Sequence, residues 1–234
     1  MFPIRSRIII LLSALLLSAC ETLPLDQLLS GGAAITQEQR AEAIRQTLEQ
    51  GSRRASDELS QRGAYLDNPD LRIPLPQQMQ SVANTMRQFG FSRHVDQLEV
   101  LMNRGAEQAA AKAGPIFIEA VRQMSIEDAI GIVRGPENAA TQYFRQQTEN
   151  RLRAEYQPVI RSNLEQLGFY DQYRLVLDVY SSLPVGNARE LDLEQHALNL
   201  ALDGLFSRVA DEEQLIRADP FGRGGALIGA VFGR

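Results

Sequence analysis

The side chains of this chain that could do chemistry are few and widely spaced. His94 and His196 are its only histidines, about a hundred residues apart, with no H-E-x-x-H arrangement to hold a metal. Gly90-Phe91-Ser92-Arg93-His94 begins like a nucleophile elbow, but it lacks the last glycine and a preceding strand, so Ser92 reads as a helix cap. Asp67, Asn68 and Asp70 have the residue types of a calcium loop, but Pro69 interrupts them and a turn explains them better. In Gly222-Arg223-Gly224-Gly225-Ala226-Leu227, Leu227 stands where a dinucleotide fingerprint requires glycine. Glu127-Asp128 are adjacent and so do not share a helix face, and Asp211-Glu212-Glu213 reads as a solvated acidic run. No catalytic residue, metal site or cofactor is implied.

One polar group stands apart. Asn103, Arg104 and Glu107 lie beside an apolar helical seam, where burial would oblige them to pair with one another or to hold something. A paired lock between helices is the simpler expectation, and a ligand site with a cleft around Arg104 and Glu107 is the alternative. Upstream, Tyr65-Leu66-Asp67-Asn68-Pro69 reads as a turn, and Ile73-Pro74-Leu75-Pro76 as extended chain, because proline disfavours helix in the residue before it. Together they make a strap across the body, with Tyr65, Asn68 and Ile73 as candidate docking residues.

The only cysteine, Cys20, has a different setting. Arg5 and Arg7 precede ten uncharged residues, Ile8 to Leu17, which is signal-peptide length and about half of a membrane span. Leu17-Ser18-Ala19-Cys20 follows at once and resembles the lipobox of bacterial lipoproteins. The resemblance implies cleavage before Cys20, thioether lipidation and acylation of the new amine. More than one acyl chain passes the threshold for stable anchoring, since a single chain is marginal. Glu21 is not the aspartate that retains such proteins at the inner membrane, so the resemblance implies the outer membrane facing the periplasm.

The organisation follows from these elements: a signal peptide over 1–19, a lipidated tether over 20–35 and a single all-α domain over 36–234. The chain is 44% hydrophobic and 23% charged, a globular composition, and its formal charge of −5 argues against nucleic acid as a partner. Thr36 with Gln39 opens a polar helix from Gln37 to about Arg62, whose thin stripe of Ala41, Ile44, Leu48, Ala55 and Leu59 places it on the surface of the body. Helices are expected over Gln77–Phe89, Ser92–Lys112 and Pro115–Met124, with a short one from the Ser125/Asp128 capping box to about Arg134. A long helix after Gly135-Pro136 carries Ala140, Phe144, Thr148, Leu152 and Tyr156, is kinked or divided at Pro158 and ends at Gly168. Tyr170–Ser182 is helical, Leu183–Glu190 is a loop, and Asp192 caps a helix that ends before Pro220. A Gly-rich tail with a short terminal helix closes the chain. No strand alternation is present.

Four groups of residues in this order are similar to one family. They are the strap; Leu101-Met102-Asn103-Arg104 with Glu107, Ala109 and Ala110; Ala139-Ala140-Thr141 with Tyr143-Phe144-Arg145; and Ala201-Leu202-Asp203-Gly204-Leu205-Phe206 followed by Asp211-Glu212-Glu213. The chain resembles the bacterial lipoprotein family catalogued as domain of unknown function 4197, departing from it at Gly105, where alanine is expected. The resemblance implies a mostly helical periplasmic domain and supplies no activity to carry over. A non-catalytic protein that docks an envelope protein partner is the leading expectation, and a carrier of an apolar ligand such as a lipid is the alternative. An enzyme, which predicts a cleft with convergent polar groups around Arg104 and Glu107, is the third.

The anchor is directly testable. Cys20→Ser is expected to shift the full-length protein from the membrane pellet to the soluble fraction. Intact-mass analysis of the wild type should show the added diacylglyceryl and acyl groups; an unmodified thiol at Cys20 would refute the anchor.

Overall fold

Helix α3 (Ser92–Ala110) buries residues around nearly its whole circumference, among them Val95, Leu98, Met102, Gly105, Ala106 and Ala109. Its small residues let neighbours approach, so it becomes the axis of the domain. The computed structural model describes residues 35–182 and 191–232. Around α3 stand α1 (Gln37–Leu59), α2 (Gln77–Gln88), α4 (Ala113–Gln123), α6 (Ala139–Gln166), α7 (Phe169–Ser181) and α8 (Leu193–Ala218). Two further helices, α5 (Ile126–Arg134) and α9 (Pro220–Phe232), pack against α1. The described residues contain no strand, so the domain is all-α as expected. The expected loop Leu183–Glu190 and the segment before residue 35 lie outside the described residues.

The main core joins α1 to α4 and α6 to α8, with Phe117 at its centre. The Phe117 ring meets Phe144 at 4.9 Å and the edge of Phe206 at 6.1 Å, both favourable tilted arrangements. A second cluster gathers Ala41, Ile44, Met124, Ala129, Ile132, Ala140 and Ile228. Ile228 belongs to α9, so the terminal helix docks on the body. Inside α9, Gly225 adopts φ 79°, a left-handed turn that breaks the helix in two.

Three expectations are corrected. Helix α1 is not peripheral: it packs on α3, α4, α5, α8 and α9. Its thin apolar stripe is widened by buried Thr47, Gly51, Ser52 and Ser56, small enough for close contact although polar by type. The Ser56 hydroxyl donates to Ala110 O at 2.8 Å and accepts from Gly114 N at 3.1 Å, joining α3 to α4. Ser92 is not a cap: Phe91 occupies that position and no side chain bonds there. Pro158 does not divide α6, which runs unbroken past it. The Ser125/Asp128 capping box and the Asp192 cap both form, the latter accepting from Gln195 N at 2.8 Å.

Two glycines predict opposite outcomes. A methyl group at Gly105 would meet Leu164 Cδ2 at 3.5 Å, an ordinary contact. Gly105→Ala is therefore expected to raise stability by about 0.5–1 kcal/mol through backbone entropy. At Gly204 the same group would come within 2.7 Å of the Tyr65 ring. Gly204→Ala should lower stability by about 1–3 kcal/mol through overpacking. Urea denaturation checks both signs.

Candidate functional site

The strap begins where α1 ends. Gly63 turns the chain at φ 94°, and a Cβ there would fall within 2.3 Å of Asp67 Oδ2. Asp67 N donates to Gly63 O at 2.9 Å, Arg72 N donates to Asn68 O at 2.9 Å, and Asp70 N donates to Asn68 Oδ1 at 3.0 Å. The chain then runs without regular structure from Arg72 to Pro76, which is extended at φ −59°, ψ 154°. Pro74 and Pro76 have no N–H, so this segment can join neither a ladder nor a helix interior. Its buried backbone groups need partners from elsewhere.

Helix α3 supplies them. Glu99, Asn103 and Glu107, four residues apart, form a column on one face. Asn103 is fully buried; its Oδ1 accepts from Ile73 N at 2.9 Å, and its Nδ2 donates to Ile73 O at 2.9 Å. One amide thus satisfies both backbone groups of a strap residue, as a neighbouring strand would. Glu107 Oε1 accepts from the backbone N–H groups of Gly63, Tyr65 and Leu66 at 3.0, 3.3 and 3.4 Å. Its Oε2 pairs with Arg104. Glu99 accepts from Arg72 at 2.9 Å and reaches Leu75 N at 3.5 Å. From the opposite side, His196 Nε2 on α8 donates to Pro74 O at 2.8 Å.

Tyr65 ties the strap to α8. Its hydroxyl donates to Ala201 O at 2.8 Å, and its ring lies over Gly204. Burial, reinforced by the Glu107 charge, pushes the Tyr65 phenol far above its ordinary range, so it stays a neutral donor. Burial likewise raises the Tyr156 phenol, with a smaller contribution from Tyr65.

A second polar lock sits at the start of α6. Asn138 offers that helix no side-chain cap. Instead Glu213 of α8 accepts from Ala140 N and Thr141 N, both at 2.9 Å, and from Thr141 Oγ at 2.8 Å. A carboxylate there satisfies free N–H groups and complements the helix dipole. Arg217 bonds the same carboxylate at 2.8 Å and Ile132 O at 2.9 Å. Neighbouring Glu212 holds Arg54 at 2.8 Å and Arg223 at 3.2 Å. The acidic run is therefore not solvated: Asp211 is exposed, but Glu212 and Glu213 are buried and bonded.

Six candidate residues can now be placed. Tyr65, Ile73, Asn103 and Glu107 are buried, so Tyr65 and Ile73 present no side chain for docking. Asn103, Arg104 and Glu107 come together as a lock between helix and strap, where a lock between helices was expected. The strap fills the place where a cleft at Arg104 and Glu107 would lie. Asn68 remains partly open and lines, with Arg62, Asp67, Pro69 and Leu71, a surface groove of about 470 Å³. An apolar pocket beneath α1, α8 and α9 has only about 20 Å³, well short of a lipid. Sequence reading missed Glu99, His196 and Glu213; the i, i+4, i+8 spacing of Glu99, Asn103 and Glu107 was the available signal for the first. Among the described residues, no group of three or more His, Cys, Asp or Glu could hold a metal, and no helix is long and apolar enough to cross a membrane.

The family model described as "Protein of unknown function (DUF4197)" matches residues 34–233. No curated protein and no solved structure matches the chain.

The lock makes a sharp prediction. Asn103→Ala leaves Ile73 N–H and C=O buried without partners and is expected to cost about 2–4 kcal/mol. Asn68→Ala removes one exposed turn bond and should cost under about 1 kcal/mol. Equal losses in urea denaturation would show that the strap is not held through Asn103.

Proposed function

We propose that this chain, which belongs to the family of proteins of unknown function DUF4197, is a non-catalytic, lipid-anchored envelope protein that docks a protein partner. The anchor rests on the lipobox at Cys20 and places the helical domain in the periplasm, on the outer membrane. Docking takes place at the strap turn, residues 67–72, beside the groove of about 470 Å³.

One observation carries this reading. The turn is exposed at Asp67, Pro69, Asp70 and Arg72, while the backbone on both sides of it is pinned to α3 through Glu107 and Asn103. A surface segment held in one conformation loses little entropy on binding, which is what a docking epitope requires. The buried Tyr65 and Ile73 act as anchors of that epitope, and the partner meets the turn between them. The carrier alternative draws no comparable support from the small apolar pocket.

A photoreactive amino acid placed at Asn68 or Asp70 of the full-length protein, in its native cells, tests the reading. The expected result is one discrete protein adduct from these positions and none from Gln146, which is exposed on α6. No adduct at the turn, or the same adduct from Gln146, would overturn it.

A further inference from the structure

A polar cleft of about 220 Å³ opens between α4 and α6, away from the strap. Buried Ile116 and Ala120 of α4 border it on one side, and Tyr143 and Gln147 of α6 line it as well. Gln123, Asp128 and Arg151 complete the rim. We propose that this cleft binds a small, uncharged, polyhydroxylated ligand, of the size and chemistry of a single sugar ring.

Charge decides the class. Arg151 is paired with Glu119 at 2.7 Å and Asp128 adds a negative charge, so the cleft disfavours an anion. Asp128 is held in the α5 capping box, where its Oδ2 accepts from Ser125 N at 3.1 Å and Ser125 Oγ at 2.8 Å. One carboxylate so engaged is a poor seat for a cation, which wants several oxygen ligands. The groups left open are neutral or acceptors: the Tyr143 hydroxyl, the Gln147 amide, the Gln123 carbonyl oxygen and Asp128 Oδ1. Burial, then the Asp128 charge, raises the Tyr143 phenol above its ordinary range, against a smaller opposing effect of Arg45, so the hydroxyl remains a donor. These donors and acceptors, with the Asp128 carboxylate as the one charged acceptor, suit hydroxyl groups, which both donate and accept. The half-buried Tyr143 ring meets the C–H face of such a ring. The volume lies below that of drug-sized pockets, in keeping with one ring.

The test uses the full-length protein in detergent and ligand-observed saturation-transfer NMR. The probes are glucose and N-acetylglucosamine, with inorganic phosphate as an anionic control and glycine as a zwitterionic one. The expected result is saturable transfer to at least one sugar, undisplaced by either control. Gln147→Leu removes the amide with little effect on the fold, because that residue is exposed. It should weaken sugar binding about tenfold, the equivalent of one or two lost hydrogen bonds. Tyr143→Phe keeps the ring and should weaken binding by a smaller factor. Absence of saturable transfer to both sugars, displacement by phosphate or glycine, or unchanged binding in Gln147→Leu with an unaltered melting curve would each overturn the proposal.

Discussion

The domain depends on how a proline-interrupted strap can be buried. Pro74 and Pro76 deny the segment its own hydrogen-bonded structure, yet Ile73 and Leu75 must enter the core. A buried N–H or C=O without a partner costs about 1–3 kcal/mol, enough to expel a short segment. The column Glu99, Asn103 and Glu107 removes that cost by acting as a side-chain edge for the strap backbone. Once α3 carries this column, it must lie where the strap crosses, and its remaining faces must be small and apolar to receive α6, α7 and α8. The central position of α3 follows from the strap as much as from its own hydrophobicity.

The same solution recurs where α6 begins. There the free N–H groups of a helix start replace those of a strap, and Glu213 takes the place of Glu107. Each carboxylate is buried, each has one arginine on the same helix, Arg104 or Arg217, and each accepts from backbone N–H groups of a distant segment, Glu213 from the Thr141 hydroxyl as well. Buried ion pairs are weak stabilisers, because desolvation offsets most of the Coulomb gain. Their effect here is selective: any other register of α8 against α6, or of the strap against α3, would strand a buried charge. The second lock also connects the smaller core to the larger, since Arg217 holds the α5 carbonyl of Ile132.

This division explains what could be read from the sequence. The helix break at Gly135-Pro136, the capping box at Ser125 and the periodic faces of α3 and α6 are local signals and appear where expected. The break expected at Gly114-Pro115 falls earlier, at Ala111-Lys112, because Pro115 is accommodated in the first turn of α4, where its missing N–H costs nothing. The pairing of Asn103 with Ile73 is not local. Burial of Asn103, Arg104 and Glu107 could be anticipated from the apolar seam beside them, but not that their partner was a strap backbone instead of another helix. Glu212 and Glu213 misled because a run of three acids has the composition of a solvated face. Only Asp211 behaves as one, and nothing within a turn of the run reveals Thr141 or Arg54. Thr47, Ser52 and Ser56 misled in the opposite sense: polar by type, they are buried because two of them return their hydroxyls to their own helix and Ser56 bridges α3 to α4.

The four groups of residues that carry the family resemblance thereby acquire a physical meaning. Tyr65 meets Ala201 and Gly204, Asn103 and Glu107 meet the strap, Arg145 lies over the Phe206 ring at 4.4 Å, and Glu213 meets Ala140 and Thr141. Segments far apart in the chain are matched in pairs, and in each pair a side chain serves a backbone or a ring elsewhere in the body. Such residues specify a fold, and a fold by itself carries no activity. Function has to be sought on the surfaces these locks hold still. The strap turn is one, because its two flanks are fixed while its tip is open. The cleft between α4 and α6 is the other, because Glu213 fixes the start of α6 and so sets where Tyr143 and Gln147 stand.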